Sequence, residues 1–296
     1  PMYHIFALMA NTLAYFCFGA KNVLVTNPRD MESFVEVWKN TRATTFTGVN
    51  TLFNGLLHTP GFDQVDFSAL KVCVGGGAAV QQAVADKWQE VTGARLYEGY
   101  GLSETSPVLT LNFGNSDQSE YISGIGVPLP GTDISIRDDY GNIVADSESG
   151  ELCAKGPQVM QGYWNNASAT DECMTSDGYF KTGDVALLDD GGFFHIVDRK
   201  KDMINVSGFN VYPNEIEAEV AKMPGVLESA CIGVPDDRTG EAVKLFVVKA
   251  DQSITEQDII DYCRTGLTAY KIPKHVIFID EIPKSTVGKL LRRELR

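Results

Sequence analysis

The sequence predicts an α/β layer joined to an α+β domain, and three observations carry that expectation. Residues 70–104 alternate strand, helix and strand. From about residue 121, short strands are separated by turn residues. After Arg199, helices and strands mix again over about 95 residues, the size of a small domain. The expected order is a parallel α/β layer in 1–120, a small antiparallel, barrel-like subdomain in 121–198, a hinge at 199–201 and an α+β domain in 202–296.

Residues 5–20 are rich in apolar side chains but interrupted by Asn11 and Thr12. A membrane span needs about 20 mostly apolar residues, so this stretch is expected to be a buried helix. Leu70-Lys71-Val72-Cys73-Val74 is a short apolar strand, and Gly75-Gly76-Gly77 a turn that lets backbone approach a ligand. Val80 to Val91 has helical spacing with Val84, Trp88 and Val91 on one face, and Gly93 suits its end. Leu96-Tyr97 starts another strand, followed by a Tyr100-Gly101 loop. A helix between strands implies a parallel sheet, whose ligands sit at strand C-termini, where both glycine loops fall.

Ile134-Ser135-Ile136-Arg137 alternates, Asp138 to Asn142 is turn chemistry, and Glu151–Ala154 and Ile196-Val197 continue the short-strand texture. Asp198-Arg199-Lys200-Lys201-Asp202 is a short charged boundary. Beyond it, Pro213-Asn214 opens a helix through Val220, and strands are expected at Ser229–Val234 and Val243–Lys249. Thr255 caps a helix containing Ile259, Ile260 and Cys263, and Val276–Ile279 is a last strand.

The net charge of −14 argues against nucleic acid as a partner, because phosphate binding needs a basic footprint. A small anionic substrate remains compatible with a few local cations. None of the six cysteines forms a C-x-x-C pair. They read as buried free thiols, which fits a reducing cytoplasm and does not suggest zinc. The Gly75-Gly76-Gly77 run is not the G-x-G-x-x-G of a dehydrogenase.

Several motifs stand along the chain, each with an ordinary reading of its own. Tyr100-Gly101-Leu102-Ser103-Glu104 reads equally as a strand-end loop with a surface Glu, and Thr182-Gly183-Asp184 as a turn or a helix N-cap. Lys289 reads as one member of a basic tail with Lys284, Arg292, Arg293 and Arg296. His4, beside Ile5 and Phe6, reads as a satisfied core histidine, and Gly208 as a turn glycine. Taken together and in order, these segments resemble the adenylate-forming enzymes, the superfamily of acyl-CoA synthetases, luciferases and peptide-synthetase adenylation domains. Asp177 to Asp184, Asp198 to Lys201 and Asn205 to Glu217 are similar to the bacterial long-chain fatty-acid–CoA ligases of fatty-acid degradation.

That resemblance implies ATP-dependent adenylation of a long- or medium-chain fatty carboxylate and transfer to the CoA thiol. It implies a nucleotide-binding set of Gly76, Gly77, Ala78, Glu98, Gly99, Tyr100, Gly101, Asp184 and Arg199, with Tyr100 against adenine and Asp184 on the ribose hydroxyls. Ser103 would bond a phosphate, Glu104 would hold Mg²⁺ and Lys289 would be the catalytic lysine. Lys201 falls at the family hinge, His4 at the acyl-pocket gate, and Gly208 with Phe209 at the CoA channel. ATP, Mg²⁺ and CoA are the implied cofactors and cosubstrates. The family also admits a homodimer and peripheral contact with the inner face of a membrane, in the cytoplasm. The family's Ser/Thr/Gly-rich loop ending in Pro-Lys-Gly is not found before Pro1, so the chain is expected to be the C-terminal part of such an enzyme. The competing readings are an aryl–CoA ligase and a silent fragment that binds nucleotide or CoA without turnover.

Overall fold

The computed structural model describes residues 1–113, 124–285 and 289–296. The expected boundary at 120/121, and Gly288 of the lysine motif, lie outside the described residues. The chain divides into two compact units. One comprises Pro1–Thr182 with Leu187–His195, the other Gly183–Ala186 with Ile196–Arg296.

The first unit opens with a helical segment, π-helical over Ala7–Leu13 and α-helical over Ala14–Cys17 (α1). It has no buried residue, which corrects the expectation of a buried helix. Its polar side chains explain the difference. Asn11 donates from Nδ2 to Thr47 Oγ1 at 2.6 Å, and the Tyr15 hydroxyl donates to Thr45 Oγ1 at 3.1 Å. Strand β1 (Thr45–Gly48) is thus met by hydrogen bonds, while Phe16 and Phe18 stay exposed. Among the described residues, no helix is long and apolar enough to cross a membrane.

Helices α2 (Met31–Lys39), α3 (Asn50–Leu57) and α4 (Gln82–Thr92) accompany strands β2 (Val72–Gly76), β3 (Leu96–Gly101), β4 (Val108–Asn112) and β5 (Val127–Pro128). The sheet order is β1-β2-β3-β4-β5. The first three strands are parallel, as the texture of 70–104 predicts for β2 and β3, and β4 and β5 add antiparallel neighbours. Helix α4 buries Val84 and Trp88. The Trp88 ring meets Phe53 edge-on at 4.8 Å and stacks on Phe46 at 5.8 Å, pairs that add about 0.5–1.5 kcal/mol each beyond area burial. Both glycine runs differ from expectation. Gly75-Gly76 and Tyr100-Gly101 end strands rather than form loops, and the chain turns only from Gly77 and Leu102.

Strands β6 (Asp133–Arg137), β7 (Gly150–Lys155), β8 (Phe180–Leu188) and β9 (Phe194–Arg199) form a sheet in that order, with helix α5 (Ala167–Cys173) between β7 and β8. Among the described residues the order is a path with β6 and β9 at its ends. Strand β6 buries Ser135, Ile136 and Arg137 in succession, not alternately. Arg137 tolerates this because Asp177 accepts from both its Nη atoms at 2.7 and 3.1 Å, and Ser135 Oγ accepts from its Nε at 2.9 Å. Of the cysteines, Cys73, Cys153, Cys231 and Cys263 are buried. Cys17 is exposed and Cys173 half-buried, against the expectation for those two.

The second unit contains β10 (Ile204–Val206), β11 (Phe209–Val211), α6 (Pro213–Val220), β12 (Val226–Asp236), β13 (Gly240–Lys249), α7 (Glu256–Gly266) and β14 (His275–Phe278). Its sheet runs β11-β10-β13-β12, with β14 parallel to β13. Pro213 at the first turn of α6 and the Thr255–Asp258 capping box of α7 place both helix starts where the sequence predicts them. Alternation decides the two sheet faces. Cys231, Leu245 and Val247 pack with Ile216, Val220, Ile259 and Cys263 of the helices. Ala230, Ile232, Phe246 and Val248 pack instead with Ile282, Leu290 and Leu295 of the tail.

The β10–β11 hairpin was not legible beforehand. Val206 pairs with Phe209 across Ser207 (φ 53°) and Gly208 (φ 86°), both left-handed, as a two-residue hairpin turn requires. A Cβ on Gly208 would meet nothing within 4 Å, so only the backbone conformation resists substitution. Gly208→Ala is expected to cost about 1 kcal/mol in urea unfolding. An alanine variant as stable as the parent would contradict this reading of the turn.

Candidate functional site

In the first unit, the C-terminal ends of parallel β2 and β3 come together, with Gly75 opposite Glu98 and Gly76 opposite Gly99. A Cβ on Gly76 would lie 3.1 Å from Gly99 O and 3.2 Å from the Phe6 ring, so a bare backbone is what fits there. Gly77, Ala78 and Ser103 are exposed, and Gly99, Tyr100 and Gly101 half-buried. Glu98 is buried, and its Oε1 accepts from the Val80 N–H at 3.3 Å. That contact anchors the segment after Gly77 to β3. His4 is half-buried, and its Nδ1 accepts from the Phe6 N–H at 3.3 Å.

The loop after β3 folds around one carbonyl. Pro107 O accepts from the Leu102 N–H at 3.1 Å and from the Thr105 hydroxyl at 2.5 Å. Thr105 is fully buried, which leaves Ser103 and Glu104 on the outward side of a single 3-10 turn. Glu104 is held twice. Its backbone O accepts from Met160 N at 2.7 Å, and its Oε1 accepts from the Tyr163 hydroxyl at 2.9 Å. Burial, with Glu104 beside it, pushes the Tyr163 hydroxyl up to about 12, so Tyr163 remains a donor at neutral pH. Sequence reasoning missed Tyr163, which lies 59 residues from its partner. Among the described residues, no group of three or more His, Cys, Asp or Glu gathers to hold a metal ion.

In the second unit, Asp184 on β8, Arg199 at the end of β9 and Lys289 in the tail share one electrostatic neighbourhood. Arg199 Nε lies 3.7 Å from Asp184 Oδ1. The Asp184 side chain is only 14% exposed, that of Arg199 50%. Burial, and then the like charge of Arg199, hold the Lys289 ammonium below the ordinary lysine range, while Asp184 pulls the other way. The Lys289 backbone is pinned to Ser285: its N–H donates to Ser285 Oγ at 3.1 Å, and its carbonyl accepts from Ser285 N at 2.8 Å. Lys201 is not drawn into this group. It is exposed on the 3-10 turn Lys200–Asp202. Gly208 and Phe209 sit on the hairpin, where the exposed Phe209 ring stacks on Tyr270 at 4.6 Å.

Sequence reasoning also missed the polar cluster beneath Arg199. Asp198 is buried, and its carboxylate accepts from Arg199 N at 2.7 Å and Asn214 N at 2.8 Å. Asp202 is buried and accepts from Arg296 Nη2 at 2.8 Å. These carboxylates flank Arg199 in sequence and look like part of a solvated linker until the fold supplies their partners.

Comparison with known proteins follows the same division. The family model described as AMP-binding enzyme matches residues 1–164, and that described as AMP-binding enzyme C-terminal domain matches 215–289. The whole chain is 55% identical to a long-chain-fatty-acid–CoA ligase of Yersinia pestis, covering 52% of that protein. It is 50% identical to the Haemophilus influenzae ligase of the same name, again covering all of the chain and 52% of the relative. A feruloyl-CoA synthase of Amycolatopsis is 38% identical over the whole chain and 60% of its own length. The chain thus spans about half the length of the long-chain ligases it matches. Among solved structures, ATP-bound MatB from Rhodopseudomonas palustris aligns with a TM-score of 0.90 at 33% identity, covering all of this chain and 58% of that one.

Proposed function

The chain belongs to the AMP-binding enzyme family, and from that premise we propose that the whole protein is a long- or medium-chain fatty-acid–CoA ligase. The observation that carries the chemistry is the grouping of Asp184, Arg199 and Lys289, one carboxylate and two cations. The identity to long-chain ligases supports the choice of acid.

In the first half-reaction a fatty carboxylate oxygen attacks the α-phosphorus of ATP. The bond to the bridging oxygen breaks, and pyrophosphate leaves. Lys289 brings a point charge to the oxygens that gain charge in that step. Asp184 accepts from the ribose hydroxyls, because one carboxylate can serve two neighbouring donors. Arg199 contacts ribose and phosphate, Ser103 donates to a phosphate oxygen, and Tyr100 lies along the adenine. Gly76, Gly77, Ala78, Gly99 and Gly101 put little or no side chain beside the nucleotide, although the space a Cβ would take is filled by Gly99 and Phe6 at Gly76 and by Pro107 at Gly101. In the second half-reaction the CoA thiol releases its proton to solvent, sulfur attacks the acyl carbon and AMP departs. The Gly208–Phe209 hairpin replaces Lys289 at the reacting centre, with Lys201 as the hinge and His4 gating the acyl pocket.

Glu104 fits Mg²⁺. It offers one carboxylate, steadied at Oε1 by Tyr163, and Mg²⁺ is commonly held by one or two carboxylates with water and phosphate oxygens. When bound, Mg²⁺ supplies neutralisation of phosphate charge.

The test supplies preformed acyl-adenylates, fatty of several lengths and aromatic, with CoA and follows acyl-CoA by mass. Fast, length-dependent thioester formation from fatty adenylates is expected. Preference for aromatic adenylates would favour the aryl–CoA reading, and binding without turnover would favour a silent protein. Lys289 adds a pH prediction. Its active form is the cation, and its pKa is lowered, so the cation is lost as pH rises through a value below the ordinary ~10.4. Adenylation should therefore fall on an alkaline limb that Lys289→Arg moves upward. A limb unmoved in that variant would assign it to another group.

A further inference from the structure

Arg292 stands three residues beyond Lys289 and is not a solvated tail residue. Its side chain is 13% exposed, against 78% for its neighbour Arg293. Its Nη2 donates to Glu217 Oε1 and Oε2, each at 2.8 Å, and to Asn214 Oδ1 at 3.0 Å. Its Nε donates to Cys231 O at 3.2 Å, and its Nη1 lies 4.0 Å from Asp202 Oδ2. Glu217 also accepts from Cys231 N at 2.7 Å. Burial pushes the Glu217 carboxyl upward and the Arg292 charge pulls it back, so the pair depends on its cation.

The partners of this one guanidinium lie on three elements of the second unit, one of them the turn that follows Arg199. Asn214 and Glu217 are on helix α6, and Asn214 N also binds Asp198, the residue before Arg199. Cys231 is on β12, and Asp202 is on the turn after Arg199. Ordinary packing does not require such a convergence, because the tail is already seated on the sheet by Ile282, Leu290 and Leu295. A planar fork with five donors fixes direction as well as distance, which a lysine cannot do.

We propose that Arg292 is a positioning residue for adenylation: it sets the Lys289 segment against Arg199 and Asp184 by locking the tail to α6 and to the Asp198–Asp202 turn. The inference rests on the ligase reading. It places no new group at the reacting atoms. It assigns the alignment of Lys289 to a side chain that makes its contacts elsewhere.

The test uses the whole protein and measures thermal stability, acyl-AMP formation and thioester formation from supplied acyl-adenylate. Arg292→Met alone would leave Glu217 buried without its cation, so it is paired with Glu217→Gln to keep the fold. Arg292→Lys is the second variant, keeping charge without the fork. Both variants should lose roughly 10–100-fold in acyl-AMP formation, as a misplaced catalytic group does, with thioester formation near the parent rate. Equal losses in the two half-reactions, or full adenylation by Arg292→Lys, would reduce Arg292 to a purely structural residue. Absence of acyl-AMP formation in the parent would instead count against the ligase reading itself.

Discussion

Replacing Lys289 by alanine is expected to lower acyl-AMP formation by about 10²–10³-fold, the loss typical when one preorganised charge-stabilising group is removed. Thioester formation from supplied adenylate should be largely spared. The split follows from where charge changes. In adenylation, negative charge grows on the oxygens around the α-phosphorus, and a cation there acts on the transition state more than on the ground state. In thioester formation the phosphate leaves already formed. The structure adds that this lysine is partly shielded and feels the like charge of Arg199, so its cation is held at a cost that Asp184 offsets only in part. Single-turnover assays of the two half-reactions, run on the same preparation, read the split directly. Equal loss in both would contradict the assignment of Lys289 to the first step.

Gly101→Ala is expected to destabilise by about 3 kcal/mol or more, because overpacking against backbone belongs to the severe class of substitutions. A Cβ at this position would lie 1.8 Å from Pro107 O and 2.5 Å from Pro107 C, with Val108 Cα at 3.0 Å. None of these atoms can rotate away. The same Pro107 carbonyl accepts from Leu102 N and Thr105 Oγ1, so moving it undoes the loop that displays Ser103 and Glu104. The β3–β4 register also shifts here, between Tyr100 and Gly101. Urea unfolding of Gly101→Ala beside Gly208→Ala separates a steric clash from a purely conformational cost of about 1 kcal/mol. A Gly101 variant no less stable than the Gly208 variant would mean that the loop relaxes freely.

Much of the second unit was legible because its signals are local. Pro213, Thr255 and the strand stretches Ser229–Val234 and Val243–Lys249 are written within a few residues of the elements they define. The grouping of Asp184, Arg199 and Lys289 came from the resemblance, since spacing alone left Lys289 in a basic tail. Tertiary pairing was not legible. Tyr163 reaches Glu104 across 59 residues, and Arg292 reaches Glu217 across 75, with no periodic pattern to announce either. The N-terminal segment misled for a related reason. Its apolar composition predicts burial, but the polar residues that interrupt it, Asn11 among them, make its hydrogen bonds to β1. The glycine runs were placed correctly near the strand C-termini, yet glycine reads as a turn in sequence even where, as at Gly75-Gly76, it is strand backbone paired with a neighbour.

The most direct test of the central claim is product identity. The whole protein is given ATP, Mg²⁺, CoA and a long-chain fatty acid, and every product is followed by mass. The account predicts acyl-CoA, AMP and pyrophosphate in equal amounts, with acyl-AMP accumulating when CoA is withheld. ADP and phosphate in place of AMP and pyrophosphate, or no acyl-AMP in the reaction from which CoA is withheld, would contradict it.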